Sequence, residues 1–266
     1  VVAALLVSCS GAPTEADVVQ SLTDVALVPS LGASSAGAAE LSTAVLSFCE
    51  APDLARQEIA QEAWRQSKVA WSQALLATWF GPAQMLRTVS RVDYEPVNAE
   101  GIEALLESAE VLDVDYVLNQ AASTERGLGT IEHLLFDSLG RSGDPRVCEL
   151  MASTAAVVAS ETLGLEEAWT VSYQEGTPYV EAFAGEGMTS DDAMADAVSA
   201  IVESLKQMSL FQLGKALAIS SQEAIVEAIP EGRAGGAASA YLAQLVGIRS
   251  LLDAGETSSL GALIQT

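Results

Sequence analysis

Asp53-Leu54-Ala55-Arg56-Gln57-Glu58-Ile59-Ala60-Gln61-Glu62-Ala63-Trp64-Arg65-Gln66-Ser67-Lys68-Val69-Ala70-Trp71-Ser72-Gln73-Ala74-Leu75-Leu76-Ala77-Thr78-Trp79-Phe80-Gly81-Pro82 is the stretch that decides the fold class. Ile59, Ala63, Trp64, Ala70, Trp71, Ala74, Leu75 and Trp79 recur at helical steps and form one broad apolar stripe. Asp53, after Pro52, is the expected N-cap, because its carboxylate can accept from an orphan N–H of the first turn. Gly81 can take a left-handed position and Pro82 blocks continuation. Three tryptophans on one helix suit a bundle core better than a cofactor box or a sugar-stacking face.

The same periodicity continues on both sides. Upstream, helix is predicted from Ala16 to Phe48, interrupted near Val28-Pro29-Ser30-Leu31-Gly32. Downstream, Met85 to Asn98 loosens into a loop or short extended piece, followed by short helices over Glu100–Ala109 and Asp113–Gln120, the second capped by Asp113. Gly127 and Gly129 open an apolar helix that carries the lone histidine, His133, beside Glu132. Asp144-Pro145 starts a long helix reaching Trp169, with proline in the first turn. An acidic stretch, Gln174–Thr189, precedes helices predicted over Asp191–Ala218, Ser221–Ile229 and Ala234–Asp253. Glu62-Ala63-Trp64 and Glu167-Ala168-Trp169 echo one another, each with a serine three residues on, as a repeat or as chance in Ala- and Glu-rich helices. The fold class is all-α: roughly eight helices in two four-helix-bundle-like halves packed side by side. One domain over 16–266 would hold sub-bundles at about 16–140 and 141–256, with the seam between Asp137 and Pro145.

Composition narrows function. Half of the 266 residues are apolar, enough for a sizeable core, and Pro and Gly gather in a few short stretches. Twelve Lys and Arg against 36 Asp and Glu give a net charge of −24, which repels phosphate backbones, so no nucleic-acid partner is expected. With one histidine the chain cannot build a two-His or three-His zinc site, and any metal must rest mainly on carboxylates. Gly127-Leu128-Gly129 lacks the preceding strand of a phosphate loop, and nothing marks a nucleophile near His133.

The first residues, Val1-Val2-Ala3-Ala4-Leu5-Leu6-Val7-Ser8-Cys9-Ser10-Gly11, are too short an apolar run to span a bilayer, which needs about 20 residues. They read as the end of a secretory signal within which the chain begins. Leu6-Val7-Ser8-Cys9 resembles a bacterial lipobox, which makes Cys9 the lipidated residue, residues 1–15 the signal remnant and flexible tether, and the periplasm-facing envelope membrane the location. The alternative is a cytosolic chain with an apolar stub. Cys49 and Cys148 would pair under oxidising conditions or remain buried free thiols.

Phe48-Cys49, Ala63-Trp64 with Trp71, Phe80-Gly81-Pro82, Asp93-Tyr94-Glu95-Pro96, Gly127-Leu128-Gly129-Thr130-Ile131-Glu132-His133-Leu134-Leu135-Phe136 and Arg146-Val147-Cys148 follow in order along the chain. In that order and spacing they resemble the imelysin-like proteins, a family that includes an insulin-cleaving membrane protease, iron-regulated envelope proteins and a periplasmic iron-uptake component. The resemblance implies two helical bundles with a loose internal repeat, and it supports a Cys49–Cys148 disulfide.

The family signature is G-x-H-x-x-E. Gly127 and Glu132 match it, but Gly129 stands where the histidine belongs. His133 cannot replace that histidine, because adjacent helical residues point about 100° apart. It does share a face with Asp137, as a weak metal pair or as an interface histidine held by that carboxylate. Glu132, flanked by Ile131 and Leu134, is expected to be at least partly buried and to need a partner such as Arg126, Arg91 or Tyr94. The candidate site is therefore Glu132, Gly127, Gly129, Tyr94 and Arg126, with Glu132, His133 and Asp137 as candidate ligands for a divalent or ferric ion, iron or zinc. Three functions follow. One is a non-catalytic envelope lipoprotein binding a metal, a metal-bearing or another small ligand between the bundles, with iron-uptake proteins as partners. The others are an imelysin-type metallopeptidase, weakened by Gly129, and an interaction module with a decayed site.

Overall fold

The computed structural model describes residues 13–136, 140–185, 187–217, 232–255 and 258–264. All regular structure among them is helical. In chain order the α-helices are α1 (Glu15–Ser21), α2 (Val28–Glu50), α3 (Leu54–Ala74), α4 (Pro82–Leu86), α5 (Thr88–Val92), α6 (Ala99–Glu107), α7 (Val114–Asn119), α8 (Leu128–Leu135), α9 (Pro145–Thr170), α10 (Tyr179–Phe183), α11 (Ser190–Lys206), α12 (Leu213–Ala216), α13 (Ala237–Asp253) and α14 (Leu260–Ile264). Cys9, Asp137 and the helix expected at Ser221–Ile229 lie outside the described residues.

Capping chemistry sets several boundaries where expected. The Asp53 side chain accepts from the Arg56 N–H, Asp113 accepts from the Tyr116 N–H, and Pro145 occupies the first turn of α9. The break expected at Pro29 falls earlier. Residues Leu22–Leu27 form a wide π turn closed by the Val28 N–H on the Thr23 carbonyl, and Pro29 then sits in the first turn of α2, where a missing N–H costs little. Three elements differ from the sequence reading: α4 forms from Pro82, where the preceding helix is expected to stop, α5 forms within the loop predicted over Met85–Asn98, and α10 forms within the acidic stretch. Each is five residues long, too short to show a helical period.

Helix α2 lies between α3 and α9; α8 packs on both α3 and α9, and α13 lies along α3. One continuous core joins them, with Leu41, Phe48, Trp64, Trp71, Leu150, Val158 and Trp169 all buried. The Cys49–Cys148 disulfide ties the end of α2 to the first turn of α9. The α3 stripe is rotated from the one read in the sequence. Ile59 is 62% exposed, and the buried line is Ala60, Trp64, Ser67, Lys68, Trp71 and Ala74. A lysine therefore stands in the core face between two tryptophans, and that substitution of charge for hydrocarbon positions the candidate site.

Candidate functional site

Helix α8 carries Glu132, and its surroundings fix it on all sides. Gly127 precedes the helix at φ +84°, and a Cβ there would lie 2.6 Å from the Val92 carbonyl oxygen, so only glycine lets the chain pass under α5. Trp64 Nε1 donates to the Leu128 carbonyl at 2.8 Å, and the Gln57 and Gln61 amides both donate to the Leu135 carbonyl at 3.2 Å. Helix α3 thus binds both ends of α8 by hydrogen bonds.

Glu132 is 6% exposed and Oε1 accepts the Ala234 N–H at 2.8 Å, so the carboxylate latches the segment that leads into α13. From the other side Arg65 Nε donates to the Ala234 carbonyl at 3.4 Å. Burial raises the Glu132 pKa above its ordinary value; the Ala234 N–H and the charges of Lys68 and Arg233 oppose the rise. Lys68 is 5% exposed, and its ammonium donates to both Asp93 oxygens at 2.7 Å. These buried groups stand beside a groove of about 370 Å³ lined by Trp64, Arg65, Gln66, Lys68, Gly235 and Ser239 among others.

The remaining sequence-derived residues go elsewhere. Arg126 donates to the Val117, Leu118 and Ser90 carbonyls and so ties the end of α7 to α5; burial, then the nearby Arg91, lower its pKa. Arg91 pairs with Glu161 at 2.9 Å. Tyr94 is exposed. His133 Nε2 lies 3.4 Å from Glu103, whose carboxylate also takes a two-pronged bond from Arg141 at 2.9 Å. Those Arg141 bonds hold the Glu103 pKa at about 2. Glu132 and His133 therefore serve different clusters. Gly129 faces inward, and a Cβ there would lie 2.4 Å from Val97 Cγ2 and 3.2 Å from Glu95 Oε1, so side chains from the segment after α5 fill the space of the signature histidine.

These residues do not fit a resident metal ion. One Glu132 oxygen is taken by a backbone N–H, both Asp93 oxygens by Lys68, and among the described residues no group of three or more His, Cys, Asp or Glu side chains could hold one. Sequence reasoning missed Lys68 and Asp93. The signal was present, since Lys68 lies four residues after Trp64 and three before Trp71, on the face they share.

Fold and sequence together define the class: the family model described as Imelysin (Peptidase_M75) matches residues 27–266, and the chain belongs to that family. A crystal structure of a protein provisionally assigned as an iron-regulated protein A precursor, from Parabacteroides distasonis, superposes with a TM-score of 0.80 at 20% identity, covering 97% of this chain and 81% of that one. An imelysin-like protein from Psychrobacter arcticum gives 0.78 at 15% identity, covering 95% and 77%. In sequence, the chain is 31% identical over 118 residues to Iron-regulated protein A of Synechococcus elongatus, a match spanning 44% of this chain and 31% of that protein's length. Among the described residues no helix is long and apolar enough to cross a membrane.

Proposed function

We propose that this chain is a non-catalytic binding protein of the bacterial cell envelope, held by a lipid on Cys9, that takes a metal-bearing small ligand in an iron-related process. The ligand lies in the groove between α3 and the segment entering α13. The observation that carries this reading is the Glu132 latch: the signature carboxylate is spent on closing one wall of a groove, not on presenting a metal site. The name of the Synechococcus relative supports the iron connection. The packing of Val97 and Glu95 against Gly129 weighs against the peptidase alternative, because it fills the place of a side chain that chemistry would need. Iron-uptake proteins of the same compartment are the proposed partners.

Equilibrium dialysis of the full chain against ferrous, chelated ferric and zinc ions, followed by metal analysis, tests the reading. Retention of chelated iron by the wild type is expected, largely kept in Glu132→Gln, whose amide oxygen can still accept the Ala234 N–H, and lost in Glu132→Ala, which releases the latch. No retention of any metal form would contradict the proposal, and cleavage of insulin chains abolished by chelation would favour the peptidase.

A further inference from the structure

Cations are scarce in a chain with 12 Lys and Arg against 36 acidic residues, yet three of them gather at the groove. Arg65 and Lys68 line it, and Arg233, two residues before the lining Gly235, acts with Lys68 on Glu132. The neighbouring carboxylates are engaged. Asp93 is held by Lys68 through both oxygens, Glu132 by the Ala234 N–H, and Glu62, the one acidic residue in the lining, lies 3.5 Å from Arg65 and accepts from Gln66 at 3.1 Å.

We propose that the groove recognises a small carboxylate-rich anion, free or as the chelate that carries ferric iron, and not a bare cation. This deepens the function proposed above and rests on it. Asp93 balances Lys68, but Arg65 is offset only by Glu62, 3.5 Å away and exposed, so a bare cation entering the groove meets the Arg65 charge and finds no carboxylate pair to hold it. A carboxylate meets complementary groups. The Arg65 guanidinium is a planar fork matched to two carboxylate oxygens, and its side chain is 40% exposed, so it can turn toward a ligand. Amide donors from Gln66 and Gln73 and the Ser239 hydroxyl supply the further hydrogen bonds that a second carboxylate or a hydroxyl requires. Across the groove, Gly235 and Gly236 carry no side chain, and a Cβ added at Gly235 would meet nothing within 4 Å. The volume of about 370 Å³ falls in the range of small-ligand sites.

The test is calorimetric titration of the full chain with citrate, ferric citrate, ferrous sulfate under anaerobic conditions and zinc chloride. Binding of citrate or ferric citrate that weakens as salt rises is expected, with the two arms telling free anion from chelate. Arg65→Gln should weaken it by about tenfold or more, the equivalent of about 1.4 kcal/mol. Arg65→Lys, which keeps the charge and loses the fork, should fall between. Circular dichroism of each variant establishes that it folds. Binding of ferrous or zinc ions without binding of either citrate form, or an unchanged affinity in folded Arg65→Gln, would overturn the anion proposal and leave a binding protein standing. No binding by any of the four probes would overturn both.

Discussion

Glu62-Ala63-Trp64 and Glu167-Ala168-Trp169 are the same tripeptide in two surroundings. Both indoles are buried, but the first donates its N–H to the Leu128 carbonyl and stands one turn from Lys68. Trp169 sits in a cluster of rings, Phe80 at 6.0 Å, Tyr179 at 4.9 Å and Phe183 at 5.5 Å, with no hydrogen-bond partner for its N–H among the described residues. A sequence echo has thus kept a packing role on both sides while polar chemistry has settled on one. Apolar contacts tolerate a change of partners, whereas a buried charge requires its partner in place, and Lys68, one turn after Trp64, has Asp93 to supply one.

The sharpest way to separate the two regions is to damage each. Trp169→Ala is expected to cost about 3–5 kcal/mol by opening a cavity in the aromatic cluster, with ligand affinity of the folded fraction unchanged. Lys68→Met is also expected to cost about 3–5 kcal/mol, because it strands the Asp93 carboxylate, and Lys68→Met with Asp93→Leu should restore most of that loss while abolishing binding. Denaturant unfolding measures both. If the double variant is no more stable than Lys68→Met, the pair is not the unit proposed.

Reduction of the Cys49–Cys148 bond, which joins the end of α2 to the start of α9, should cost about 2–4 kcal/mol through the long loop it closes. A smaller loss, about 1–3 kcal/mol, is expected for Gly129→His, because an imidazole must displace Val97 and Glu95. That variant should not gain tight zinc binding; a gain would mean that the segment after α5 yields easily and that the signature site persists beneath it.

The smallest effect is a pair of opposite pH dependences. Glu132 has its pKa raised by burial, so its contribution is fully present below the ordinary carboxylate pKa of 4.5 and is lost as pH rises through its folded value. Glu103 is held at about 2 by Arg141, so its contribution is present above 4.5 and is lost as pH falls toward 2. Melting temperatures from pH 2 to 8 should show Glu132→Gln flattening the neutral side and Arg141→Gln the acid side. An unchanged profile in Glu132→Gln would contradict its burial as a charged latch.

Long-period helices and their caps were legible in the residues: α3, α7 and α9 follow Asp53, Asp113 and Pro145 as their chemistry dictates. The signature helix was legible too, and so was the departure at Gly129. Lost were features that depend on residues far apart in sequence. Nothing local says that Glu132 meets Ala234, 102 positions later, or that Lys68 meets Asp93. The eye also discounts a lysine within an apolar stripe, although a buried lysine with a fixed partner is the stronger sign of a site.

Hydrogen exchange of the full chain with and without ferric citrate locates the bound ligand without altering the protein. Slowed exchange confined to the middle of α3, about residues 62–73, and to 234–240 is expected if the ligand lies in the groove. Binding accompanied by protection around Phe80, Trp169 and Phe183, with α3 unchanged, would contradict it.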